Sequence, residues 1–305
     1  MKTFELVLGA HPDKVCDIIA EALKSKVDGK SAIEVAWFNN TIVVGGEVGS
    51  MIDEQVVRQV VKDTLFNLGY EEPIILENYL QLQSKEIADI VKNVGAGDNG
   101  IFFAGYHYCW TNIIDKLKSI SRKLTKTAFA HRYRTDGKFI AQFTEKGLLE
   151  SFTLNIASVK EQTQKEKELF KDYLISILDL AFNQDYELYI NPRGDWNKCG
   201  GFADSGLTGR KLACDNSCGL FHQGGGAFFG KDVSKADYSI PIYLHHKAKK
   251  HAIENDLNEV ELKAHTIIGN EFVGIYTQDG KCVDYVEFKE IMEFAKNNPM
   301  EWTGL

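Results

Sequence analysis

Short apolar runs of strand period alternate with amphipathic runs of helix period three times along this chain, and no linker or low-complexity stretch separates them. That pattern confines the fold to α+β layers, sheets covered by helices. Val15, Ile18, Ile19, Ala22, Leu23 and Val27 recur at helical spacing behind Pro12, a good first helical residue, and predict a helix over 12–27. Residues 32–38 and 41–48 are β-branched and apolar, and Asn39-Asn40 between them signals a hairpin. A second helix is expected over 52–68, stopped by Gly69, and then a strand over 74–82. A glycine turn at 95–100 leads into an apolar run at 101–106, and further strands are expected at 139–144, 150–158, 186–190, 260–268 and 271–277. Helices are expected at 161–182, 239–255 and 285–296.

Bulk properties exclude several classes. A length of 305 residues with 44% hydrophobic content supports a sizeable core in one large or a few small domains. The formal charge of −8 argues against nucleic acid as partner. No apolar run reaches the roughly 20 residues of a membrane span. The N-terminal apolar stretch lacks a signal-peptide core and cleavage site. The six cysteines form no Cys-x-x-Cys pair and no zinc pattern, so they read as reduced thiols of a cytoplasmic protein.

Against that acidic background, residues 191–237 stand out. Ten of the chain's 26 glycines fall there, with Arg210, Lys211, Lys231 and Lys235, and with Asp204 and Asp237 as possible ligands or orienters. Glycine lets backbone approach a bulky anion, and clustered Arg and Lys neutralise phosphate. The segment therefore reads as built around a polyphosphate. Gly225 to Lys231 matches the glycine and lysine positions of a P-loop, but Asp232 stands where Ser or Thr would hold Mg²⁺, and no hydrophobic strand leads in. A P-loop fold is not expected.

Other candidates each have a plainer reading. His11 and Asp13 open the first helix, as a cap and as an acid at its positive end, or as anion donor and Mg²⁺ ligand. Glu34 and Glu47 sit on the two arms of the hairpin, facing solvent or holding a cation and a substrate ammonium. Trp196 is a core aromatic or a platform for a purine. Asp98, inside Gly95-Ala96-Gly97-Asp98-Asn99-Gly100, is a turn residue or a partner for ribose or amine.

Taken together, these segments resemble the methionine adenosyltransferase (S-adenosylmethionine synthetase) family. GAHPDK at 9–14 resembles the family's GHPDK, and GAGDNG at 95–100 its GAGDQG. DSGLTGRK at 204–211 and GGGAFFGKDVSKAD at 224–237 resemble two more of its segments, in the family's order. The resemblance implies three similar sheet-and-helix domains about a pseudo-threefold axis, with approximate boundaries 1–100, 101–190 and 191–305 and a trimmed third domain. It implies a homodimer with shared active sites, or a tetramer, using Mg²⁺ and K⁺ to join ATP and L-methionine. By matched position, His11, Arg210, Lys211 and Lys231 surround the triphosphate, and Lys138 serves the displacement step. Asp13 and Asp237 hold Mg²⁺, and Glu34 holds K⁺. Glu47, Gln83 and Lys235 lie near methionine. Asp98, Asp136, Asp195, Trp196, Asp204 and Ala227 belong to the remaining substrate-binding set.

The chain also departs from the family pattern. Residues 83–98, matching the family's mobile loop, are few; Phe229 replaces a serine; and His222-Gln223 precedes the glycines. Two other readings stand beside an active synthetase: a triphosphate-cleaving relative, and a non-catalytic partner of a full-length enzyme.

Overall fold

The structure is a computed structural model that describes residues 1–84, 96–127 and 133–299. Most of the short loop expected at 83–98 thus lies outside the described residues. Three four-stranded sheets carry the fold.

One sheet holds the expected hairpin, β2 (Ser31–Phe38) and β3 (Thr41–Val48). Next to β3 lies a parallel strand, β4 (Ile75–Leu82), and the two-residue β9 (Gly206–Leu207) pairs with the free edge of β2. Ile33, Val35, Trp37, Ile42 and Val44 alternate inward and are fully or almost fully buried under α1 (Pro12–Lys24) and α2 (Glu54–Asn67). Burying each such side chain contributes about 1.5–3 kcal/mol.

A second sheet joins β1 (Lys2–Val7), β6 (Tyr133–Phe143), β7 (Leu149–Ser158) and β8 (Glu187–Ile190) in that order. Its core, including Phe4, Phe139 and Phe152, meets Trp110 and Leu117 of α3 (Tyr108–Thr127) and Phe170 and Leu174 of α4 (Gln164–Phe182). Thr163 and Glu166 form a reciprocal capping box that starts α4. The third sheet runs β12 (Cys282–Glu287), β11 (Phe272–Thr277), β10 (Glu259–Thr266), β5 (Gly100–His107). It is covered by α6 (Ala236–Glu254) and α7 (Phe288–Asn297). The short α5 (Leu212–Ser217) lies in the glycine-rich segment. Each sheet draws strands from distant parts of the chain.

The sequence reading leaves β1, α3, α5 and β12 unassigned. The helix expected at 285–296 starts instead at Phe288, because 282–287 pairs antiparallel with β11 as an edge strand. No helix among the described residues is long and apolar enough to cross a membrane.

Candidate active site

The glycine-rich segment is held by one stripe of α1. Asp13, Asp17 and Glu21 are four residues apart, so they share a helix face. Asp13 Oδ1 accepts the Leu207 N–H at 2.9 Å, Asp17 Oδ1 the Gly209 N–H at 2.8 Å, and Glu21 Oε2 the Gly230 N–H at 3.1 Å. From Asp13 to Glu21 the helix rises roughly 12 Å. The segment is thereby laid along α1, with a charged cluster near each end.

At the N-terminal end stand His11, Asp13, Arg210 and Lys211. His11 caps α1, its Nδ1 accepting the Asp13 N–H at 3.2 Å. That bond fixes the neutral tautomer with the proton on Nε2, free to donate. Burial first, then the Lys211 charge, pushes the His11 pKa down to about 4, so the ring is neutral at pH 7. Asp13 is almost fully buried and pairs with Lys211 Nζ, and Arg210 lies 3.7 Å away. Arg210 is steadied by Ser205, its Nη1 donating to the backbone oxygen at 3.2 Å and to Oγ at 3.1 Å.

β6 supplies the other wall. Leu8 and Ala10 extend the pairing of β1 by donating to Gly137 and Thr135. This sets His11 near Asp136 and Lys138. Lys138 is half exposed, 3.6 Å from Glu5, and its charge reaches His11, as does that of Asp204. Asp136 Oδ2 accepts the Gly200 N–H at 2.6 Å. Burial raises its pKa to about 6, the Gly200 bond opposes, and Asp204 adds to the rise. The folded state therefore keeps this proton up to a pH where the unfolded chain, near 3.8, has lost it. Stability from this group is present at low pH and withdrawn as pH rises through about 6, on the order of 3 kcal/mol. Asp136→Asn, which keeps an acceptor for Gly200, should gain on the native chain between pH 4.5 and pH 8 in urea unfolding. A difference that does not vary with pH would contradict the shift.

The second cluster lies where Lys231 pairs with β2. Ile33 donates to Gly230 O at 3.1 Å, and Lys231 bridges Ala32. Gly230 has φ 75°, and a Cβ there would sit 2.4 Å from Ile33 O, so this turn demands glycine. The Gly225–Lys231 stretch is thus no strand–loop–helix P-loop; the next helix, α6, starts at Ala236. In its first turn, Asp237 takes the Lys231 Nζ at 2.7 Å and the Gly226 N–H at 2.8 Å. Lys231, Lys235, Asp237, Asp98 and Ala32 line a cavity of about 200 Å³. Glu34 is on the open face of the sheet and exposed in this single chain. Partial desolvation still raises its pKa, Lys231 opposing and Asp237 adding. Glu47, on β3, pairs with Ala32 of β2, on the side of that strand opposite Lys231. Gln83 donates its N–H to Val48 O at 3.0 Å, and its buried Nε2 has no partner among the described residues.

Three predicted residues stand apart. Ala227 packs on Gly209, between the two clusters. Asp195 is bound to Lys167 Nζ at 2.6 Å and to Asn191 at 2.9 Å, contacts that join neither cluster. Trp196 accepts from Ser158 through its backbone, and its side chain is 36% exposed. The sequence reading misses Lys14, Asp17, Glu21 and Asp215. Lys14 Nζ, fully buried, lies 2.8 Å from Asp215 and 3.0 Å from Asp17. The four-residue spacing of Asp13, Asp17 and Glu21 was the available signal.

Comparison with known proteins places the chain in a family. Residues 1–95 match the S-adenosylmethionine synthetase N-terminal domain, and residues 199–297 the C-terminal domain. The S-adenosylmethionine synthase of Mycoplasmopsis pulmonis is 29% identical, over 97% of this chain and 85% of that protein. That of Oenococcus oeni is 30% identical over 88% and 78%, and that of Maricaulis maris 32% over 78% and 69%. A solved structure of an unusual S-adenosylmethionine synthetase from Campylobacter jejuni has the same fold, with a TM-score of 0.72 at 24% identity over 97% of this chain and 85% of that one. These matches make the chain an enzyme, a transferase with an α+β fold. It belongs to the S-adenosylmethionine synthetase family.

Proposed function

We propose that the chain makes S-adenosylmethionine from ATP and L-methionine by direct attack of the methionine sulfur on C5′, with the whole triphosphate leaving, and then cleaves the triphosphate to phosphate and pyrophosphate. The observation that carries this reading is the grouping of His11, Arg210 and Lys211 around Asp13. A thioether is a neutral nucleophile and needs no general base. The barrier lies in charge building on the leaving group, which fixed cations and an aimed N–H stabilise. Neutral His11 offers that N–H without adding a charge that burial would oppose. Lys138 acts at displacement, with Asp136 and Asp204 orienting the adenosyl part. Trp196, Ala227 and Asp195 line the nucleotide side.

The second cluster takes the other end of the substrates. Lys231 meets the triphosphate, and Lys235, Glu47 and Asp98 meet methionine. The amide of Gln83, unmet among the described residues, is a donor that a bound carboxylate would satisfy. Both clusters lie along one helix, and the complete site forms between two copies, in a homodimer or a tetramer of two such pairs. The chain is one unit of three interleaved sheet-and-helix parts. Its six free thiols accord with the cytoplasm.

Divalent metal use is consistent with the family, and the residues suit Mg²⁺. No group of three or more His, Cys, Asp or Glu among the described residues would hold a metal alone. Mg²⁺ commonly takes only one or two carboxylates and completes its shell with substrate phosphates and water. Asp13 and Asp237 are such carboxylates, each beside a lysine that phosphate would compete for. Bound there, Mg²⁺ would neutralise charge on the triphosphate oxygens. Glu34 is assigned to K⁺. Asp13→Asn should raise the Mg²⁺ concentration needed for half-maximal rate about tenfold. An unchanged Mg²⁺ dependence would take Asp13 out of the metal shell.

The direct test is to incubate the purified chain with ATP, methionine, Mg²⁺ and K⁺ and quantify three products. Equal amounts of S-adenosylmethionine, phosphate and pyrophosphate are expected. Phosphate without S-adenosylmethionine would mean a changed nucleophile. ATP binding without any product would mean a subunit that needs a partner.

A further inference from the structure

Asp232 follows Lys231 directly, at the position where a P-loop carries the Ser or Thr that holds Mg²⁺. Here its side chain faces backbone instead. Oδ2 accepts the Ser31 N–H at 2.7 Å, and Oδ1 accepts the Ser234 N–H at 2.8 Å. Its backbone is engaged as well: the N–H donates to Ser31 O at 3.2 Å, and the carbonyl accepts the Lys235 N–H at 3.1 Å. Each carboxylate oxygen thus holds an amide through a charge-assisted bond, roughly twice as strong as a neutral one.

These bonds join two elements. Residues 230–232 run antiparallel to the start of β2, through Ile33 to Gly230, the Ala32–Lys231 bridge and Ser31 to Asp232. At Asp232 the pairing ends, and the chain turns through Val233 and Ser234 into α6. That helix opens at Lys235, whose side chain makes no capping bond among the described residues, so the turn before it fixes where its first residues lie. Three charged groups of the second cluster are carried by this one turn: Lys231 before it, Lys235 at its end, and Asp237 in the first turn of α6. They line a single cavity, and Lys231 meets Asp237 at 2.7 Å. A rotation at Asp232 would move Lys235 and Asp237 against Lys231, which stays bridged to β2.

We propose that Asp232 is the positioning residue of this cluster: it sets the spacing of Lys231, Lys235 and Asp237 that the substrates meet, and holds no metal itself. This role rests on the function proposed above, in which Lys231 meets the triphosphate and Lys235 meets methionine. The carboxylate has the charge to bind Mg²⁺, but both oxygens are committed to amides. Asparagine here would offer one oxygen, and its NH₂ would face the second amide, donor against donor. Alanine would offer none.

Asp232→Asn and Asp232→Ala test this in the full chain, by hydrogen exchange read at single amides and by steady-state kinetics. Asp232→Asn is the milder change and serves alone if Asp232→Ala does not fold. Without Mg²⁺ or substrates, Ser31 or Ser234 should exchange at least about tenfold faster in Asp232→Asn. Gly226, whose N–H Asp237 accepts at 2.8 Å, should follow, while Val35 further along β2, bound to Thr208, keeps its rate. The Michaelis constant for methionine should rise about tenfold, more than kcat falls. Native exchange at Ser31, Ser234 and Gly226 would overturn the proposal, and a raised Mg²⁺ requirement with those rates unchanged would make Asp232 a ligand. Faster exchange at Val35 as well, or a loss confined to kcat, would mean general loosening and overturn it too. Exchange needs no turnover, so it decides the positioning even if the native chain makes no S-adenosylmethionine, a result that would instead overturn the function proposed above.

Discussion

Replacing Lys138 with alanine should slow S-adenosylmethionine formation by roughly 100- to 1000-fold, the loss typical of one preorganised transition-state donor. ATP affinity should change by less than about fivefold. In the free protein Lys138 is half exposed and 3.6 Å from Glu5, a surface pair worth about 0–1 kcal/mol. The substitution should therefore leave the fold intact. On the proposed reading, ground-state hold on the triphosphate would fall to Arg210, Lys211 and Lys231, which outnumber it. Lys138 stands on the β6 wall beside His11, where charge on the departing oxygen would build. Single-turnover rates and equilibrium ATP binding separate the two effects. Equal losses in rate and affinity would reassign Lys138 to ground-state binding, and an unchanged rate would remove it from the site.

Much of the fold was readable because its signals are local. Pro12 opens α1, Gly69 follows the end of α2, and alternation over 31–48 gives the hairpin. Helix α3 carried the same kind of signal and was still left unassigned: Trp110, Ile113, Ile114, Leu117, Ile120 and Leu124 keep helical spacing, and all are buried. Strand β1 and the edge strand β12 were not, since what makes them strands is pairing with residues far away or beyond a bulge. In the site, residue types and motif order pointed to phosphate chemistry. Their division into two clusters was not legible, because it depends on β2 binding residues 206–208 near one end and 230–232 near the other. Asp195 entered the substrate-binding set by matched position alone, and its neighbours in the free chain are Lys167 and Asn191.

The largest stability effect should come from Lys14, which never touches solvent. Burial pulls its pKa down, but Asp17 and Asp215 outweigh that and raise it, so the ammonium stays charged. It also lies 4.1 Å from the centre of the Phe229 ring, over its face. Lys14→Met keeps the volume but removes the cation that lies between two buried carboxyls. Breaking such a pair from one side costs roughly 3–5 kcal/mol, a large share of the 5–15 kcal/mol that holds a typical domain. The sign with pH follows from those carboxyls. Burial already raises the Asp17 pKa, with Lys14 opposing, and loss of Lys14 removes that opposition. A carboxyl whose folded pKa is raised stabilises below that pKa and loses the contribution as pH rises through it. The variant should thus be weakest at pH 8.5 and recover part of its urea midpoint at pH 5.5. Adding Asp17→Asn and Asp215→Asn should restore most of the loss at pH 8.5, because no buried charge is then left unpaired. A Lys14→Met chain as stable as the native one at pH 8.5 would show that the three charges are not coupled. The same variant carries a functional consequence. Asp17 holds the Gly209 N–H, one residue before Arg210 and Lys211. Once Asp17 is free to protonate and shift, those two cations lose their fixed position, and the Michaelis constant for ATP should rise even where the fold survives.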